Sequence, residues 1–265
     1  MSKTTSTNLR KELAENVLAN DESSIVVNPS ENLIHGFVHH LTNDDNSNHV
    51  RMSVNEDTIK SVVSNFIVGA KASDLIENNK LEIRTTSHEI NGTIIATGGD
   101  IYCVADLNEP SVISPRQDYT DDIESTVESI WDGSNSFNIR TPSFTRIYST
   151  MEEELGSEFV EDYRNIINHI ENSEEDDMDE VVAALLVGAK NKELLYDVSK
   201  WGEDCGLASK ATFSRTKSRI ESEGYLETEK VPIDIGRPRL RLKLASNVFE
   251  EEYDGLVVSA IQTMI

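Results

Sequence analysis

The chain has 265 residues, enough for one large or two ordinary domains, each burying its own core. Hydrophobic residues make up 37% of it, and no run approaches the roughly 18 apolar residues of a membrane helix, so a membrane partner is not expected. Acids number 48 against 24 Lys+Arg, a net charge of -24. So negative a chain ordinarily argues against nucleic acid as a partner, because phosphate repels it.

The first residues, MSKTTSTNLRKELAENVL, hold no apolar stretch of the kind a secretory signal requires. Cys103 and Cys205 stand far apart and outside any CxxC spacing, which suits a reducing cytoplasm and speaks against disulfides or zinc. The acids are spread along the chain rather than gathered in tails, and lysine is scarce. That pattern suits a halophile with molar salt in its cytoplasm, where a Debye length of about 3 Å makes a dense carboxylate surface tolerable. A cytoplasmic location is expected.

In chain order, residues 6–20 carry Leu9, Leu13, Val17 and Leu18 on one helical side. SSIVV (23–27) is a buried-type strand, and Ser30 is placed to cap a helix over 31–42. HVRMSV (49–54) is a second strand, followed by helical periodicity from about 56 to 78 in two pieces. LEIRTT (81–86), GTIIAT (92–97) and IYCVAD (101–106) are strand candidates punctuated by Asn91-Gly92 and Gly98-Gly99-Asp100, predicting a meander at one sheet edge. Helices are expected over 118–132 and 143–170. Strands alternating with helices predict an α/β domain over residues 1–172. The acidic run ENSEEDDMDE (171–180) reads as a solvated boundary, with residues 173–180 as linker and 181–265 as a second domain.

The second domain begins with an apolar helix, EVVAALLVGAK (180–190), and a second one over 192–205. A tight turn at Gly206-Leu207-Ala208 leads to Ser209, which caps a third helix over 210–223. YLETEKVPI and RLRLKLA then form two strands joined by DIGRP. Helix, helix, turn, helix and hairpin is the order of a winged helix-turn-helix.

At 100° per residue, Phe213, Thr216, Lys217 and Ile220 fall on one side of the third helix, with Lys217 snorkelling from the core side. Ala211, Ser214, Arg215 and Ser218 fall on the other, flanked by Thr212 and Arg219. Small side chains let a helix enter the major groove, where Arg215 is suited to guanine O6/N7 and Ala211 to a thymine methyl. Lys210, Thr212 and Arg219 are suited to phosphates, and Ser209 at the cap is counted among the DNA-binding residues. In the last strand Arg239, Arg241 and Lys243 alternate with Leu240, Leu242 and Leu244, giving a cationic ridge behind a leucine face. Gly236 supplies a positive φ for the turn, and Arg237 at the wing tip is suited to a minor groove. Residues 207–244 carry nine cations and five acids, +4 in a chain of -24. This local reversal of sign is the electrostatic footprint of a DNA site.

The segment GLASKATFSRTKSRIESEGYLE…GRPRLRL resembles winged-helix transcription regulators, and the whole layout resembles the haloarchaeal TbsP family. The resemblance implies a sequence-specific archaeal DNA-binding regulator of promoter DNA, with sugar-metabolism genes as targets. It names no cofactor.

Other features read as structural. His35 and His39 have i,i+4 spacing beside His40, but no HExxH glutamate or nearby cysteine accompanies them, so no metal is expected. Gly98-Gly99 joins two strands and opens no helix, which removes a phosphate-loop reading. The stretch from Leu81 to Asp106 loosely resembles phospholipase D-like strand pairs, yet Asn91 and Thr93 stand where the catalytic His and Lys would be. No catalytic residues are expected, and the first domain is left with effector sensing or pairing. Leu256, Val257, Ala260 and Ile261 form an apolar stripe, for packing onto the domain or for a homodimer. The partners expected are promoter DNA, a second copy and a small-molecule effector. The rival reading is a non-catalytic adaptor whose winged domain docks a protein.

Overall fold

The computed structural model describes residues 23–43, 49–88, 90–105, 111–113, 120–171, 179–234 and 236–245. The helix expected over 6–20, most of the acidic run and the apolar stripe after 247 lie outside the described residues. The chain divides into two compact units, Met1–Ser64 with Val68–Ile139 and Asn65–Ile67 with Arg140–Ile265.

The first unit opens with β1 (Ser24–Val27), α1 (Glu31–Asn43), β2 (Val50–Val54), α2 (Glu56–Ser64), α3 (Phe66–Glu77) and β3 (Leu81–Thr85). Then come β4 (Thr93–Thr97), β5 (Asp100–Ala105), β6 (Ser111–Ile113), α4 (Thr120–Asp132) and β7 (Asn135–Ser136). The sheet order is β6-β5-β4-β1-β2-β3-β7. β1, β2 and β3 are parallel, as helical crossovers require, while β4 runs antiparallel to β1.

All four residues of β1 are buried because both faces of the sheet are covered. Leu33, Phe37 and Leu41 of α1, with Ile59 and Leu75, meet Val26, Met52 and Ile83 on one face. Val127, Ile130 and Trp131 of α4 meet Ile25, Val27, Ala96 and Ile101 on the other. β2 turns Arg51 toward the α4 side, where the guanidinium pairs with Glu128 at 3.2 Å. Arg84 lies 4.1 Å from the centre of the Trp131 ring.

The meander is displaced by one strand from the one the sequence predicts. β4, β5 and β6 form it, but β3 joins β2 in parallel because the α2–α3 crossover returns the chain in the same direction. Gly98 and Gly99 have φ of +55° and +79° and link Thr97 to its partner Asp100, a two-residue hairpin turn that only glycine adopts readily. β6 and β7 have three and two residues, too short to leave a periodic signal. His35 and His39 lie on the exposed side of α1, and no metal-holding cluster of His, Cys, Asp or Glu occurs among the described residues.

The second unit contains α5 (Phe144–Leu155), α6 (Ser157–Glu171), α7 (Glu180–Lys190), α8 (Leu195–Cys205), α9 (Lys210–Ser222), β8 (Leu226–Val231) and β9 (Arg239–Leu244). Two expectations are corrected here. The helix over 143–170 is two helices, broken at Gly156 with φ +93°. Both belong to the second unit, so the division falls between Ile139 and Arg140 rather than in the acidic run. The cause is apolar surface. Every residue from Val181 to Ala189 of α7 is buried, which needs cover on all sides. α6 supplies one side with Phe159, Tyr163 and Ile166, while α5 packs on α8, where Trp201 donates its indole N–H to Thr150 Oγ1 at 3.1 Å.

Candidate nucleic-acid interface

The turn between α8 and α9 is built from backbone geometry. Gly206 has φ +91°, its N–H reaches the Glu203 carbonyl at 3.2 Å, and the Leu207 N–H reaches the Gly202 carbonyl at 2.8 Å. These two bonds close α8 in a Schellman motif, which a left-handed glycine permits. Ser209 then caps α9, its Oγ accepting the Thr212 N–H at 3.1 Å, so this hydroxyl is already engaged. The crossing of the two helices is set by contact: a Cβ on Gly202 would lie 2.3 Å from Cε2 of Phe213. Phe213 of α9 therefore seats directly on bare backbone of α8.

With Phe213, Lys217 and Ile220 buried, α9 presents Ala211, Ser214, Arg215, Ser218 and Arg219 to solvent, with Thr212 half-buried. Lys217 is only 9% exposed, and its Nζ meets Glu221 at 2.8 Å. The other oxygen of Glu221 accepts the Thr228 hydroxyl at 2.8 Å. These bonds, led by that from Lys217, hold the Glu221 carboxyl below the ordinary glutamate range.

Residues 192–194, expected in the second helix, are not helical. Lys192 has φ +57°, Leu194 bridges to Arg241, and the Leu242 N–H donates to the Glu193 carbonyl at 2.8 Å. They extend the β8–β9 hairpin by a short third edge. Leu242 closes the core, while Leu240 and Leu244 are half-buried, less than a full leucine face. Gly236 in the wing loop has φ +116°.

The cations differ in what holds them. Lys210 pairs with Glu203 at 2.8 Å, and Arg219 with Asp179, the N-cap of α7, at 2.8 Å. Arg239 reaches Asp197 at 3.5 Å, and Lys243 reaches Glu229 across the hairpin at 3.3 Å. Arg241 is half-buried with its Nε out of solvent and without a hydrogen-bond partner. Burial, then Asp197, pushes the nearby Glu193 carboxyl up, and Arg241 works against that. Arg215 and Arg237 are exposed and make no ion pair with a described residue. The basic face is thus not uniformly open charge; Arg215 in the middle of α9 and Arg237 at the wing tip are exposed cations without an ion pair to a described residue.

Sequence reasoning passed over the acids opposite these cations, and over Tyr196, whose exposed ring lies under Arg239. Glu203 and Lys210 flank the Gly206 turn, a spacing that points to their pairing. Asp179 and Arg219 are forty residues apart and carry no such signal.

No curated protein sequence matches the chain. Among solved structures, one that it resembles in part is described as the structure of TrmBL2, an archaeal chromatin protein, showing a novel mode of DNA binding. The identity is 11%, the TM-score is 0.37, and the match spans half of this chain and half the length of that one, a likeness too slight to bear on function. Two family models account for nearly all of the chain. Residues 1–142 match the N-terminal model of TbsP-like transcriptional regulators, and residues 143–262 match the C-terminal helix-turn-helix model of the same regulators. Their junction falls beside the division seen in space, and the chain belongs to the TbsP-like transcriptional regulators.

Proposed function

We propose that the protein binds promoter DNA sequence-specifically, with α9 in the major groove and the β8–β9 wing against the backbone. The observation that carries this reading is the outward face of α9, small residues around one exposed arginine, Arg215, that makes no ion pair with a described residue. Arg215, Ser214, Ser218 and Ala211 read bases; Lys210, Thr212 and Arg219 hold phosphates; Arg237, Arg239, Arg241 and Lys243 form the wing, with Arg237 entering a minor groove. Ser209 acts through the cap that orients the first turn.

The first unit senses a small-molecule effector or pairs two chains. A homodimer would place two α9 helices on half-sites roughly 34 Å apart. Regulation of sugar-metabolism genes in a salt-rich archaeal cytoplasm follows from the resemblance and the acidic composition, and the protein does this without catalysis. The ion pairs at Lys210, Arg219, Arg239 and Lys243 favour one rival, an adaptor that docks a protein.

Fluorescence anisotropy with promoter duplexes across a KCl series separates the two readings. Arg215→Ala is expected to cost about 1–3 kcal/mol on the preferred site and to narrow the gap to unrelated DNA. Arg237→Ala is expected to weaken all duplexes alike. Absence of binding at low salt, where phosphate attraction is strongest, would leave the adaptor reading standing instead.

A further inference from the structure

Tyr196 sits in the first turn of α8 and is 46% exposed, one of two large hydrophobic side chains left open among the described residues. Its ring is in use. The Arg239 guanidinium carbon lies 4.2 Å from the ring centroid, and the same guanidinium reaches Asp197, the next residue of the helix. Lys210 is the first residue of α9. The Lys210 ammonium is held above its ordinary range chiefly by the Glu203 hydrogen bond, with smaller contributions from the Glu203 and Asp204 charges and the Tyr196 phenol. Tyr196 therefore carries a cation of the wing on its ring.

A guanidinium lying on an aromatic ring keeps its edge N–H groups free for a planar acceptor and gives up rotamer freedom beforehand. The Asp197 contact, at 3.5 Å, is long beside the roughly 2.7–2.9 Å of a firm charge-assisted bond. That carboxylate neutralises the arginine in the free protein without gripping it, and a phosphate can replace it while the ring keeps its hold.

We propose that Tyr196 is a positioning residue of the DNA-binding face, holding Arg239 stacked at the loop end of the wing hairpin so that it takes a backbone phosphate in exchange for Asp197. The proposal rests on the DNA-binding reading above.

The test uses the full chain and a promoter duplex, with anisotropy across a KCl series for wild type, Arg239→Ala, Tyr196→Ala, Tyr196→Leu, Tyr196→Phe and the Tyr196→Ala/Arg239→Ala double variant. Arg239→Ala is expected to reduce the slope of log K against log salt by about 0.9, one phosphate contact. The two ring-less replacements remove no charge, yet are expected to lower the slope by most of that amount and to weaken binding several-fold. Tyr196→Phe, which keeps the ring, should retain the wild-type slope, and the double variant should bind no worse than Arg239→Ala. A wild-type slope in Tyr196→Leu, or losses that add in the double variant, would overturn the proposal while DNA binding stands. A wild type that binds no duplex at low salt would remove both.

Discussion

Lys217 shows what one residue's surroundings decide. By phase it belongs to the buried side of α9, and it is accommodated there because Glu221, one turn on, takes its ammonium and Thr228 takes the other carboxylate oxygen. The depressed Glu221 pKa gives this arrangement a pH signature. A carboxyl with a lowered folded pKa stabilises the fold above its unfolded pKa, and that contribution fades as pH falls through the folded value. Glu221→Gln is therefore expected to melt earlier than wild type at pH 7, by about 1 kcal/mol, since the acid is a third open to solvent. The difference should close as the pH drops below the ordinary glutamate range. Thermal melts at stepped pH measure it, and a gap that persists unchanged in acid would mean that the charge is not what matters. The helical phase was legible in sequence; the acid that makes a buried lysine tolerable there was not weighed.

Between elements, the decisive contact is the one between α8 and α9. The Gly206 turn is readable from sequence, because a glycine followed by a capping serine marks a helix end and a helix start. Gly202 carries no such signal. It lies inside α8, and only the packed structure shows that the Phe213 ring occupies the space of its missing side chain. Gly202→Ala is expected to destabilise the protein by about 1–3 kcal/mol despite alanine's better helix propensity, because overpacking outweighs propensity at a 2.3 Å approach. Chemical denaturation reads the loss. Reduced DNA affinity should accompany it, since the angle of α9 changes. A variant as stable as wild type would show that Phe213 can move aside at little cost. The same scale explains the misread start of α8. Residues 192–194 have helical composition, but Glu193 and Leu194 are taken by the edge of β9, a pairing about fifty residues away in sequence.

For the whole molecule, the division at Ile139/Arg140 changes what counts as the DNA-binding part. Charge density suggested a cut in the acidic run, yet α5 and α6 lie before that run and pack with the helices after it. A fragment beginning at residue 140 is expected to unfold cooperatively. One beginning at residue 181 loses the Thr150 partner of Trp201 and the Phe159 contact with its ring, and leaves the apolar α7 uncovered. It should lose near-UV signal and aggregate. Equal melting temperatures for the two fragments would show that α5 and α6 are dispensable cover.

Composition, turn residues and periodicity by themselves determined the class of each half, the strands β1 to β5 within a residue or two, the helix-turn-helix with its wing, and the side of α9 that faces outward. Those signals are local: an alternation of two, a period of 3.6, a glycine at a positive φ. Tertiary structure alone decided the parallel placement of β3, the assignment of α5 and α6 to the second unit, and the ion pairs that hold Arg219, Arg239 and Lys243. Each of these depends on which distant surfaces meet. Apolar faces and opposite charges state that a partner is needed, and only the packed chain supplies which one.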